Sequence, residues 1–79
     1  MQFPVYLKYK NNASFFKIIS FEELEELKYT GKILELYHFK AKILPDRNYI
    51  ADLLKENSPY VEKISEKEFE AHKVKLATS

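Results

Sequence analysis

The chain is rich in aromatic side chains, with six Phe and six Tyr among 79 residues, and it contains no Cys. A chain this short has a small core, and without disulfides its stability must come from side-chain packing. An enclosed Phe or Tyr buries about 150–250 Å². The Tyr hydroxyls need water or a hydrogen-bond partner, so many should lie at the edge of the core. We therefore expect one small domain over residues 1–79.

The first twenty residues have the period-two pattern of a β-hairpin. Apolar residues alternate with others from Phe3 to Tyr9, which predicts a strand with one apolar face. Residues 10–13 are Lys-Asn-Asn-Ala and predict a turn, since Asn tolerates a positive φ. Residues 14–19 predict a second strand that is apolar on both faces and therefore closer to the centre of a sheet.

The segment after Ser20 has the signature of a helix. Ser20 and Glu23 have the spacing of a capping box, in which each side chain satisfies the backbone N–H of the other residue. We expect this helix to end at Gly31, where a left-handed residue is favoured. The residues that it would bury are Phe21, Leu24 and Leu27.

The middle of the chain predicts one long strand followed by an ambiguous segment. Residues 32–44 contain no turn residue and alternate in polarity, which indicates a strand, with a bulge as one way to bend it. Residues 44–48 predict a turn around Pro45. Residues 49–56 fit an amphipathic helix or a strand, and both interpretations stay open.

A faint internal repeat favours the strand interpretation for that segment. Residues 64–70 echo residues 19–25, and Ser65 and Glu68 form a second capping box that predicts a helix from Glu66 to about Leu76. In the same register, the segment beginning at Ile50 would correspond to the first strand. The fold class predicted on this basis is α+β, with a two-layer, mainly antiparallel sheet in the order β-β-α-β-β-β-α. Both helices would pack on one face, and a weak ββα repeat would relate the two halves.

The residues that usually carry chemistry are sparse. His38 and His72 are isolated, and neither Ser nor Asp occurs in a nucleophile or EF-hand pattern. A single Gly excludes a phosphate-binding loop, and the lack of Cys excludes a thiolate zinc site. We therefore predict a protein that is not an enzyme and has no catalytic residue, cofactor or metal.

Binding through an exposed, aromatic and basic sheet face is the remaining hypothesis. The net charge of +1 conceals a basic segment over residues 1–20 and an acidic one over residues 21–30, which could meet between two copies. The candidate interaction surface consists of Tyr6, Lys8, Lys10, Phe16, Tyr37, His38 and Lys40.

The function predicted from this surface is a small protein-interaction module that binds another protein or a second copy, with a homodimer as one form. Two alternatives stay open. One is a weak single-stranded nucleic-acid binder using the same face, for which a single Arg is little support. The other is an accessory subunit of a larger enzyme or complex. Neither a leader nor a long apolar run is present, so we expect no membrane partner and a cytoplasmic location.

Overall fold

The computed structural model describes residues 2–55 and 58–78, with side chains as far as Leu76. The strands are β1 (Val5–Tyr9), β2 (Ser14–Ser20), β3 (Glu23–Thr30), β4 (Ile33–Lys40) and β5 (Val61–Lys63). The helices are α1 (Leu44–Leu53), α2 (Glu66–Lys73) and the short α3 (Lys75–Thr78).

The strands form one five-stranded sheet in the order β4-β3-β2-β1-β5, and every described pairing is antiparallel. This confirms the predicted α+β class and the mainly antiparallel sheet. The β1–β2 hairpin turns through Asn12, whose φ is +62°, and β2 lies at the centre of the sheet as its two apolar faces predicted. The long strand predicted over residues 32–44 is β4, but it ends at Lys40, and Leu44 begins α1 instead.

The helix predicted after Ser20 is wrong, because residues Glu23–Thr30 form β3. Leu24 and Leu27 are both buried, as a helix would require, but they point to opposite faces of the strand. The Ser20 hydroxyl accepts the Glu22 N–H at 3.1 Å within the tight β2–β3 turn rather than capping a helix. Gly31 has the predicted positive φ of +62°, but in the β3–β4 turn.

The two longer helices lie on opposite faces of the sheet, so the prediction of two layers with both helices on one face is also wrong. On the α1 face, Phe16 and Ile18 pack in one buried cluster with Ile50 of α1. On the α2 face, Phe15 packs in a second cluster with Phe69 of α2. Neighbouring residues of β2 therefore serve different cores, which explains why this strand is apolar on both faces.

Helix α1 begins where a turn was predicted, at residues 44–48. The Asp46 carboxylate accepts the Ile43 N–H at 3.3 Å, and Pro45 lies in the first helical turn, where its missing N–H is not needed. Residues 49–53 continue this helix and bury Ile50 and Leu53, so the helical interpretation of this segment is the correct one. Glu56, the last residue of the ambiguous segment, lies outside the described residues.

The internal repeat is not structural. Helix α2 starts at the predicted cap, where the Ser65 hydroxyl accepts the Glu68 N–H at 3.0 Å. The matching residues 19–25 span the β2–β3 turn instead, and the segment matched to β1 is helical. The same short pattern therefore has two structures, because the packing partners of each copy differ.

Candidate functional site

Among the residues that the structure describes, β4 has the longest strand edge without a pairing strand. β4 has eight residues and is the terminal strand on its side of the sheet. It pairs with β3 in unbroken register from Thr30–Ile33 to Glu23–Lys40. An edge strand of this length offers a row of free N–H and C=O groups to another strand.

The pairing with β3 identifies which backbone groups of β4 point outward. The Ala41 N–H donates to the Glu22 carbonyl, continuing the β3–β4 ladder, and alternate residues of an antiparallel strand bond to the same neighbour. The odd-numbered residues of β4 therefore bond to β3. The residues whose N–H and C=O groups face away from the sheet are Leu34, Leu36, His38 and Lys40.

Three large apolar or aromatic side chains are exposed along this edge, beside the polar Glu35, His38 and Lys40. Ile33, Leu36 and Tyr37 are 62 %, 41 % and 45 % exposed, and no Pro or bulge interrupts the strand. Native proteins commonly protect an open edge with such features or with charges pointing inward. We call this surface, residues 33–40 with their outward backbone groups, the β4 edge.

Two local contacts hold the polar side chains of the β4 edge. The Tyr37 hydroxyl donates to a Glu35 carboxylate oxygen at 2.9 Å, and this bond with the carboxylate charge raises the pKa of Tyr37. The His38 ring contacts the Glu23 carboxylate on β3. The Glu35 carboxylate thus has a hydroxyl partner on the α1 face, and His38 has a carboxylate partner on the α2 face.

The structure divides the candidate interaction surface predicted from the sequence. Phe16 is fully buried and cannot contribute to a surface. Tyr6 is half-buried against Phe69, with ring centroids 5.5 Å apart. The Lys8 ammonium forms an ion pair with the Glu62 carboxylate, with Nζ and Oε1 3.2 Å apart.

The other four members of that candidate surface are exposed. Tyr37, His38 and Lys40 lie together on the β4 edge. Lys10 lies beyond the end of β1, three strands away in the sheet. Ile33 and Leu36 were not predicted as surface residues. The uninterrupted alternation over residues 33–40 was the sequence pattern that could have indicated them.

The acidic segment is likewise not a free surface. The Glu22 carboxylate contacts the Arg47 guanidinium at 2.7 Å, and the Glu25 carboxylate contacts the Lys73 ammonium at 3.3 Å. The Glu26 carboxylate accepts the Ser14 hydroxyl at 2.7 Å. These carboxylates have partners within the same chain, and charge pairing between two copies stays a prediction.

In the described part of the chain several cavities lie away from the β4 edge, one of them of about 380 Å³ beside Tyr9 and Tyr60. An apolar one of about 260 Å³ lies between β1, β5 and the end of α1, lined by Leu7, Leu53 and Val61 among others. A more open and polar one of about 410 Å³ contains the ring of His72 beside Tyr29. Over residues 2–55 and 58–78, no group of three or more acidic or His side chains is arranged to hold a metal ion.

Comparison with known proteins gives no relative, because no family model, curated protein or solved structure matches the chain. None of the helices in the described ranges combines the length and the apolar character needed to cross a membrane.

Proposed function

We propose that this protein is a non-catalytic protein-interaction module that binds an extended segment of its partner along the β4 edge. The observation that carries the proposal is the open backbone of β4 together with the exposed Ile33, Leu36 and Tyr37. Addition of a strand to such an edge gives affinity through main-chain hydrogen bonds and specificity through alternate side chains.

β4 is held in place by its neighbouring strand and by both cores, which favours a binding edge that is already ordered before a partner binds. β3 is fixed by both cores, since Leu24 is packed on the α1 face and Leu27 on the α2 face. β4 is bonded to β3 along its whole length, and Phe39 and Leu34 anchor it to the two cores. An edge held in this way loses little conformational entropy when a partner strand pairs with it.

The alternative of single-stranded nucleic-acid binding has weaker support. It requires Lys and aromatic side chains to share one face. Tyr37 lies on the α1 face, whereas Lys8 and His38 lie on the α2 face with carboxylate neighbours. The third hypothesis is an accessory subunit of a larger enzyme or complex. It is compatible with strand addition, because the partner strand would then belong to another subunit of that complex.

The test of the proposal is selection of peptides from a phage-displayed library on the wild-type protein, followed by binding to edge variants. Leu36→Pro removes an outward N–H together with the Leu side chain, and it removes none of the N–H groups that bond to β3. Leu36→Lys keeps the backbone and adds an edge charge. Lys63→Glu changes the opposite edge of the sheet and is the matched control.

The proposal predicts enriched peptides with alternating apolar residues that bind the wild type and Lys63→Glu equally. Their binding should be lost in Leu36→Pro and strongly reduced in Leu36→Lys, with the circular dichroism spectrum unchanged in the Lys variant. Peptides that bind all variants alike, or the absence of any enriched peptide, would contradict binding at the β4 edge.

A further inference from the structure

We infer that the strand that pairs with the β4 edge is β4 of a second copy, in an antiparallel register centred on Leu36. This inference rests on the proposed function, since it names the partner of the same edge. It joins two five-stranded sheets into one continuous sheet.

Symmetry limits the registers available to such a pair. A twofold axis perpendicular to the sheet makes the α1 face of one copy continuous with the α1 face of the other. Each residue must then lie opposite a residue of the same parity, because successive side chains point to opposite faces. The two registers that pair most of the strand are centred on Leu36, covering residues 33–39, or on Tyr37, covering residues 34–40.

On the α1 face, the register centred on Leu36 gives each exposed side chain a suitable partner. Ile33 lies opposite Phe39 of the second copy, an aliphatic–aromatic pair of the kind that stabilises sheets. Glu35 lies opposite Tyr37 of the second copy. Since the Tyr37 hydroxyl already donates to the Glu35 carboxylate within one chain, the same donor and acceptor are available across the axis.

On the α2 face, the same register covers the remaining exposed apolar side chain. Leu36 lies opposite Leu36 of the second copy, and Leu34 lies opposite His38. The outward N–H and C=O groups of these residues face each other in closely spaced pairs. Main-chain and side-chain complementarity therefore coincide in this register.

Neighbouring registers are less favourable. Centring on Glu35 places two carboxylates directly opposite each other, which is destabilising. Centring on Tyr37 places Glu35 opposite Phe39 and leaves Ile33, which is 62 % exposed, beyond the paired segment.

The opposite edge of the sheet explains why pairing should stop at two copies. β5 has only three residues, and Glu62 and Lys63 within it are exposed and charged. Short, charged edge strands resist further pairing. A contact between one β4 and another β4 is isologous and closes on itself. The paired area is small, so we expect a weak dimer that forms at high protein concentration.

The test uses single-cysteine variants, because the natural chain has no Cys to interfere. In the inferred register, residue 36 lies opposite itself at a Cα separation of about 5.5 Å, which a disulfide spans. Leu36→Cys, Tyr37→Cys and the opposite-edge control Lys63→Cys are oxidised at equal high concentration. The readout is the rate of disulfide-linked dimer formation on a non-reducing gel.

We expect Leu36→Cys to form the covalent dimer at least tenfold faster than either other variant. A rate for Leu36→Cys no higher than that of Lys63→Cys would overturn the inference, and fastest linkage in Tyr37→Cys would overturn the register. Sedimentation of the wild type checks association without substitution, and a strictly monomeric wild type at high concentration would also overturn it. Library peptides that still bind a monomeric wild type but not Leu36→Pro would leave the proposed function standing and remove only the second copy as partner.

Discussion

The hydroxyl oxygen of Tyr29 and Nδ1 of His72 lie 2.8 Å apart, which ties β3 to α2 across the second core. The His72 ring also stacks on Phe15, with ring centroids 4.0 Å apart. When the hydroxyl donates this bond, the imidazole is neutral and carries its proton on Nε2. The direction of this hydrogen bond therefore depends on the tautomer and protonation state of His72.

Stability should fall in mild acid because of His72. Burial and the nearby Lys75 ammonium lower the pKa of His72 below its ordinary value of 6.5, against the smaller opposing effect of Glu68. The unfolded chain then binds the proton more tightly than the folded one. The free energy of unfolding should be highest above pH 6.5 and should decrease as the pH falls through the lowered pKa.

Urea unfolding across this pH range tests the effect. His72→Gln should be less stable than the wild type at neutral pH but should lose less stability on acidification. A variant whose pH dependence matches that of the wild type would show that His72 is not the responsible group.

Removal of the Tyr29 hydroxyl should weaken the same contact. Tyr29→Phe leaves Nδ1 of His72 without this hydrogen-bond partner, so we expect a loss of about 1 kcal/mol in the free energy of unfolding. Tyr60→Phe is the matched control, because Tyr60 is 73 % exposed and its hydroxyl is free to bond water. Equal stability of the two variants in urea would argue against the Tyr29–His72 bond.

The two serines of the repeated pattern should respond differently to substitution. Ser65→Ala removes the N-cap of α2 and should cost about 1 kcal/mol. Ser20→Ala removes a bond in an exposed turn and should cost clearly less. Thermal unfolding of the two variants compares these losses of stability. A larger loss for Ser20→Ala than for Ser65→Ala would contradict the finding that Ser65, and not Ser20, caps a helix.

The β3–β4 turn should require its glycine for backbone reasons only. A Cβ added at Gly31 meets no atom within 4 Å, whereas its φ of +62° is unfavourable for most residues. Gly31→Ala should therefore cost about 1–2 kcal/mol, and Gly31→Asn should cost less because Asn tolerates this region better. Equal unfolding midpoints for the two variants would argue against a left-handed residue at this turn.

Local pattern was enough to predict the hairpin, the presence and start of β4, and the start of α2, whereas the predicted end of β4 at residue 44 was four residues too late. Each depends on neighbours in sequence: alternation for the strands, a Ser with Glu three residues later for the helix. Positive φ was likewise predictable at Asn12 and Gly31, since few residues adopt it.

β3 could not be predicted in the same way, because the spacing of its buried residues fits both a helix and a strand. Leu24 and Leu27 suit one face of a helix, but they equally suit a strand that is covered on both faces. What decides between them is α1 on one side and α2 on the other, which lie far away in sequence. The partners of its carboxylates, such as Lys73 for Glu25, are equally distant.

The candidate site was predictable only in part for a related reason. Tyr37, His38 and Lys40 were identified by residue type, but the importance of Ile33 and Leu36 depends on β4 being the terminal strand. Strand order is a property of the whole sheet. Phe16 was misplaced because alternation does not indicate which face of a strand a helix will cover.

Amide hydrogen exchange along β4, resolved by NMR at low and high protein concentration, reports directly on strand pairing at the β4 edge. Tyr37 bonds to β3 and should be protected at both concentrations, whereas the outward N–H of Leu36 should exchange rapidly in dilute protein. We expect the Leu36 amide to become protected as the concentration rises, together with those of Leu34 and His38. Rapid exchange of the Leu36 amide at the highest concentration and in the presence of selected peptides would contradict the β4 edge as a binding surface.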